Sequence, residues 1–102
     1  MSIQKEYLKK KGRCKVTFHI PPERVDGAVS VHVVGEFNGW DEEATPMSRG
    51  KDGGFSATVQ LEPGGEYQFR YLVDGCVWEN DWEADRYVPT PFGNSENCVV
   101  VV

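Results

Sequence analysis

The chain has 102 residues, 39% of them hydrophobic, 12% aromatic and 26% charged, which describes one water-soluble globule with a modest core and excludes a disordered chain. No apolar run approaches the roughly 18 residues that a membrane helix needs, and the opening MSIQKEYLKKKGR lacks the apolar centre of a secretory signal, so the chain is expected to be cytoplasmic, with no membrane partner. The net charge of −5 is uneven: the first 13 residues hold five basic side chains and one acid, the rest six and fifteen, and an acidic body excludes a nucleic-acid backbone as the main partner.

Residues 1–12 read as a short basic leader, and IQKEYLKK is the only stretch with a helical pattern. The expected domain runs from 13 to 102. In CKVTFHI, Cys14, Val16, Phe18 and Ile20 alternate with Lys15, Thr17 and His19, the period of two that marks a strand with one buried face, and Pro21-Pro22 ends it. Val29, Val31 and Val33 alternate with Ser30 and His32, and Phe55, Ala57, Val59 and Leu61 alternate with Ser56, Thr58 and Gln60. In EYQFRYLVDG, Tyr67, Phe69, Tyr71 and Val73 share the core face, Gln68, Arg70 and Leu72 take the other, and Asp74-Gly75 is a hairpin turn signal. CVVVV supplies a last strand. Short strands separated by the turns Asp52-Gly53-Gly54 and Pro63-Gly64-Gly65 predict an all-β antiparallel sandwich.

Catalytic and metal signatures are missing from the sequence. Cys14, Cys76 and Cys98 have neither the even count of a disulfide framework nor zinc-ligand spacing, and read as free thiols. His19 and His32 fall on polar strand faces with no metal-ligand partner beside them. Asp81, Glu83 and Asp85 alternate like the opening of a calcium loop, but Arg86 stands where that loop needs Gly and Phe92 where it needs Glu. Acidic residues suffice for a glycosidase pair, yet a small sandwich offers little depth in which to raise a general acid's pKa. The expectation is a domain without catalysis or cofactor.

The unusual feature is the placement of tryptophans. Trp40 follows the Asn38-Gly39 turn, Trp78 follows Asp74-Gly75, and Trp82 comes four residues later in a polar segment. Such a ring is either a lid over the end of the core or a platform. The flat C–H faces of sugars pack on aromatic rings while their hydroxyls need donors and acceptors, so two exposed indoles near an outward Arg70 suit an oligosaccharide.

The order VHVVGEFNGWDEEATPM, GGFSATVQL, GGEYQFRYLVDG, VWEND and FGNSEN before a valine-rich strand resembles the glycogen-binding module of AMP-activated protein kinase β subunits. It is equally similar to the early-set domains that precede the catalytic barrels of isoamylases and branching enzymes, grouped with it as family 48 carbohydrate-binding modules. The likeness runs from about residue 28 to the C-terminus. It implies an immunoglobulin-like early-set sandwich that binds α-1,4-linked glucan such as glycogen, starch or maltooligosaccharides. The family's stacking tryptophans correspond to Trp40 and Trp78, its strand-borne basic residue to Arg70, and the groups of its final loop to Phe92, Asn94 and Asn97. Two departures stand out: Cys76-Val77 lengthens the gap before Trp78 by one residue, and Glu96 replaces an amide of the kinase module. The alternative is a protein-interaction or regulatory module, or an accessory domain of a glucan-modifying enzyme of the isoamylase or branching-enzyme type, that has lost or never had sugar binding; a glucan-metabolising enzyme or a kinase is the protein partner that the resemblance implies.

Overall fold

A computed structural model of the chain describes residues 3–25, 27–90 and 95–102. Nine strands are present among these residues: β1 (Ile3–Leu8), β2 (Arg13–Ile20), β3 (Val31–Gly35), β4 (Ser48–Arg49), β5 (Phe55–Leu61), β6 (Glu66–Val73), β7 (Val77–Glu79), β8 (Arg86–Pro89) and β9 (Glu96–Val101). Every pairing is antiparallel. One sheet has the order β1-β2-β5-β4, and the second has the order β3-β6-β9-β8 with β7 added on β6. The two pack face to face as the expected sandwich, with the core between them.

The alternation read in the sequence carries directly into the core. On β2, Cys14, Val16, Phe18 and Ile20 are buried, and from the other sheet β6 contributes Phe69 and Tyr71. Phe18 lies 4.9 Å from Phe69 and 6.4 Å from Tyr71 between ring centroids, tilted and edge-on, so an aromatic cluster joins the sheets at their centre. Cys98 and Val100 extend the same layer from β9. Cys14, Cys76 and Cys98 are all free thiols.

Two expectations require correction. The leader stretch read as helical instead forms β1, paired residue for residue with β2 from Ile3↔Phe18 to Leu8↔Arg13. Gln, Lys, Glu and Leu are good helix formers, but β2 would otherwise offer an open edge of backbone donors and acceptors, and the ladder along it outweighs that weak preference. Buried Ile3 pins the inner face, while Lys5 reaches across to Asp85 ahead of β8 at 2.7 Å. Val29, assigned to a half-buried strand, lies outside β3 and is 83% exposed. The Asp74 carboxylate explains this, since it accepts the backbone N–H of Val29 (2.7 Å) and of Ser30 (2.9 Å) and holds the segment as a loop. Those two bonds also keep the Asp74 carboxyl below its ordinary pKa.

The second edge of β6 is divided. β9 pairs with Glu66 to Phe69, and β7 pairs with Tyr71 to Val73, so the change of partner falls at Arg70. This division aims β6 into two neighbourhoods on one outer face.

Candidate functional site

The outer face of the β3-β6-β9 sheet is defined by register. Arg70 stands opposite Val34, Leu72 lies between His32 and Trp78, and Gln68 faces Val99. Val34, Leu72 and Val99 point away from the inter-sheet core yet are fully buried, so this face is itself packed rather than open backbone. His32, expected at the surface, is half-buried, and its Nδ1 is enclosed without a hydrogen-bond partner among the described residues. Above this layer lies an open cleft of about 480 Å³ lined by Glu36, Trp40, Gln68, Arg70, Trp78, Thr90, Ser95 and Asn97.

The motif GEFNGW explains how Trp40 comes to the rim. Gly35 ends β3 where a Cβ would fall 2.6 Å from the Gln68 carbonyl oxygen, so no other residue allows β3 to run this close to β6. Phe37 turns inward and stacks on Phe18 at 5.7 Å. Asn38 locks the turn: its Oδ1 accepts the Gly35 N–H, and its Nδ2 donates to the Val33 carbonyl and to Thr45 Oγ1, each at 3.0 Å. With Phe37 and Asn38 fixed on the inside, the chain leaves through Gly39 at φ 68° and Trp40 at φ 59°. The left-handed region is disfavoured for a bulky side chain by roughly 1–2 kcal/mol. The Trp40 N–H donates to the Gly35 carbonyl at 2.9 Å, which closes the turn around that strained residue. Trp40 is 39% exposed.

Trp78 arrives from the other side of the cleft. Asp74 at φ 53° and Gly75 at φ 71° turn the chain, the Cys76 N–H donates to the Val73 carbonyl at 3.1 Å, and β7 returns along β6. Since Trp78 pairs with outward Leu72, its indole shares the outer face, and the residue is 40% exposed. Trp82 differs: it packs against the core cluster, and the Arg24 guanidinium lies 4.3 Å from its ring centroid.

Between the two rims the floor carries polar groups in fixed orientations. Arg70 Nε–H donates to Asn80 Oδ1 at 3.0 Å, and Asn80 Nδ2 donates to the Glu96 carbonyl at 2.9 Å. Asn97 Nδ2 donates to Gln68 Oε1 at 3.0 Å, and the Gln68 N–H is taken by the Glu36 carboxylate at 2.6 Å. Thr90, after β8, and Ser95, before β9, join hydroxyls at 2.7 Å.

Immediately below, Asp81 anchors the segment that follows β7. It is buried, accepts the Tyr71 hydroxyl at 2.5 Å and the Glu83 N–H at 2.7 Å, and its own N–H donates to Cys98 Sγ at 3.1 Å. The acidic triplet that begins at Asp81 is thus committed to the core in its first member. Burial and, next, the neighbouring Asp81 charge raise the Tyr71 hydroxyl well above its ordinary pKa, and burial pushes the Cys98 thiol up to about 11.

Of the residues singled out from sequence, Trp40, Arg70, Trp78 and Asn97 line this one cleft. Phe92 and Asn94 lie outside the described residues. Glu36, Gln68 and Asn80 were missed. Gln68 was recognisable from its outward register beside Arg70; Glu36 and Asn80 carry no motif of their own, and only the folded geometry joins them to the cleft.

A family profile described as the glycogen recognition site of AMP-activated protein kinase matches residues 23–102, the span from the turn after β2 to the end of the chain. No curated protein matches the chain at a significant level. The matched span contains the GEFNGW turn, β6 with Arg70 and the hairpin carrying Trp78, and on that basis the chain belongs to the glycogen recognition site family, whose members are non-catalytic glycogen-binding modules.

Proposed function

We propose that the domain binds α-1,4-linked glucan in this cleft, with sugar rings stacked on Trp40 and Trp78 and hydroxyls met by Arg70 and Asn97. The observation that carries this reading is the convergence of four residues from four separate segments on one open cleft. Two tryptophans, each about two-fifths exposed, supply the apolar faces that sugar C–H groups prefer, and the amides and guanidinium between them supply directional donors and acceptors. Phe92 and Asn94 complete the proposed set from the β8–β9 connection. The domain would serve to hold a glucan-metabolising enzyme or a kinase on the polymer. A cytoplasmic setting belongs to the same reading and is supported by three free thiols.

Affinity electrophoresis tests the proposal. The domain is expected to be retarded in native gels containing glycogen or amylopectin and to run freely through a soluble cellulose derivative, because the curved α-glucan can touch both rings at once. Equal mobility in all three gels would remove glucan binding and leave a protein-interaction scaffold.

A further inference from the structure

We infer that Asn80 is a positioning residue that sets the Arg70 guanidinium in place before sugar arrives; this rests on the proposed role of Arg70 in the cleft. Asn80 follows β7 and is half-buried. Its two hydrogen bonds need both halves of an amide: the oxygen accepts from Arg70 Nε–H, and the nitrogen donates to the Glu96 carbonyl. Arg Nε–H is only a donor and a carbonyl only an acceptor, so the orientation of the amide is fixed by its partners. A carboxylate here would face the Glu96 carbonyl with no hydrogen to give, and an aliphatic side chain would hold neither partner.

The arrangement has three consequences for Arg70. A free arginine side chain loses rotamer entropy when it is ordered, and one already held by Nε loses less of it on binding. The partner is neutral: among the described residues the ion pairs are Lys5 with Asp85 and Arg86 with Glu66, and no carboxylate pairs with Arg70. Its charge therefore stays available. Finally, Nε is the group used by Asn80, while no described residue accepts from the two Nη groups, so the terminal fork is left for sugar hydroxyls.

The support for Asn80 is itself built from opposite sides of one segment. The Asp81 side chain is anchored inward on Tyr71, and its N–H on Cys98, while Asn80 points outward to Arg70 and ties to β9 through Glu96. The seam where β6 changes partner from β9 to β7 is thereby bridged by the residue that orients Arg70.

A double-mutant cycle with maltoheptaose, read by calorimetry, tests this. Asn80→Ala is expected to weaken binding about fivefold and Arg70→Ala about tenfold, while adding Asn80→Ala to Arg70→Ala should change affinity less than about twofold. In parallel, hydrogen exchange at Arg70 Nε–H, followed by nitrogen-15 NMR, should be slow in the wild type and fast in Asn80→Ala. Asn80→Leu keeps the bulk of the side chain but offers Nε no acceptor and should likewise lose the slow exchange, which reads the same contact if the alanine variant does not fold. Equal losses from Asn80→Ala in both backgrounds, or an unchanged Nε–H exchange rate, would overturn the inference. If the wild type fails to bind while Nε–H is protected through Asn80, the glucan reading fails and the positioning contact stands.

Discussion

β6 has two faces that solve opposite problems with the same kinds of residue. Inward, Phe69 and Tyr71 are sealed into an aromatic cluster, and Tyr71 meets the buried Asp81 carboxylate; outward, Arg70 is held by a neutral amide between two half-exposed indoles. The two tryptophans of the following segment repeat the contrast over four residues. Trp82 is braced by the core and by Arg24, while Trp78 stands on the outer layer opposite Leu72. Aromatic content alone therefore says little about role; the direction of the side chain from the sheet decides whether a ring contributes to stability or is available to a ligand.

The largest expected effect tests the inner face. Phe69→Ala should lower unfolding free energy by roughly 3–5 kcal/mol, because it empties a fully buried site between two other rings. Urea denaturation followed by circular dichroism measures this, and Arg70→Ala on the same strand should shift the midpoint far less. A large loss from Arg70→Ala with a small one from Phe69→Ala would mean that the strand faces are inverted.

Alkaline titration probes the inner face alone. Cys98 holds its proton up to about 11, against an ordinary value of 9.0, and Tyr71 is raised in the same direction. A raised native pKa gives stability that is fully present below pH 9 and is lost as pH climbs towards 11, where the unfolded chain ionises first. The loss attributable to the thiol is about 2 kcal/mol by pH 11. Cys98→Ala should flatten this part of the stability profile.

Smaller effects distinguish the two neighbouring indoles. Trp82→Ala should cost about 1–3 kcal/mol, since it uncovers part of the core cluster, and should leave glucan binding nearly intact. Trp78→Ala, at the more exposed residue, should cost less stability than Trp82→Ala and yet abolish retardation in glycogen gels. Thermal melts of both variants beside the gel assay would break the comparison if the pattern were reversed.

Much of this division was readable before folding. Cys14 to Ile20 and Phe55 to Leu61 alternate in burial as read, whereas on β6 the core face of Tyr67, Phe69, Tyr71 and Val73 was legible but the burial of Leu72 on the opposite face was not. The outward place of Arg70 followed from the same count. The strand at Ile3–Leu8 was not readable because its side chains are mostly exposed, and the backbone ladder that fixes it leaves no mark on residue choice. The β8 segment is similarly short and mostly exposed. Asn80 escaped for another reason: its partners Arg70 and Glu96 lie 10 and 16 residues away, and a single amide in a polar stretch has no period to betray it.

The left-handed backbone of Trp40 has a consequence for how this surface would drift under selection. A library varied at that position and sorted only for heat resistance should fill with glycine and asparagine, which occupy the same conformation at lower cost. Sorting the library for retention on glycogen should return tryptophan in spite of its strain. Under the proposed stacking role, the position is a marker of purpose: a descendant released from polymer binding would gain stability by giving up this ring, and its loss would be an early sign that the sandwich had been turned to another use.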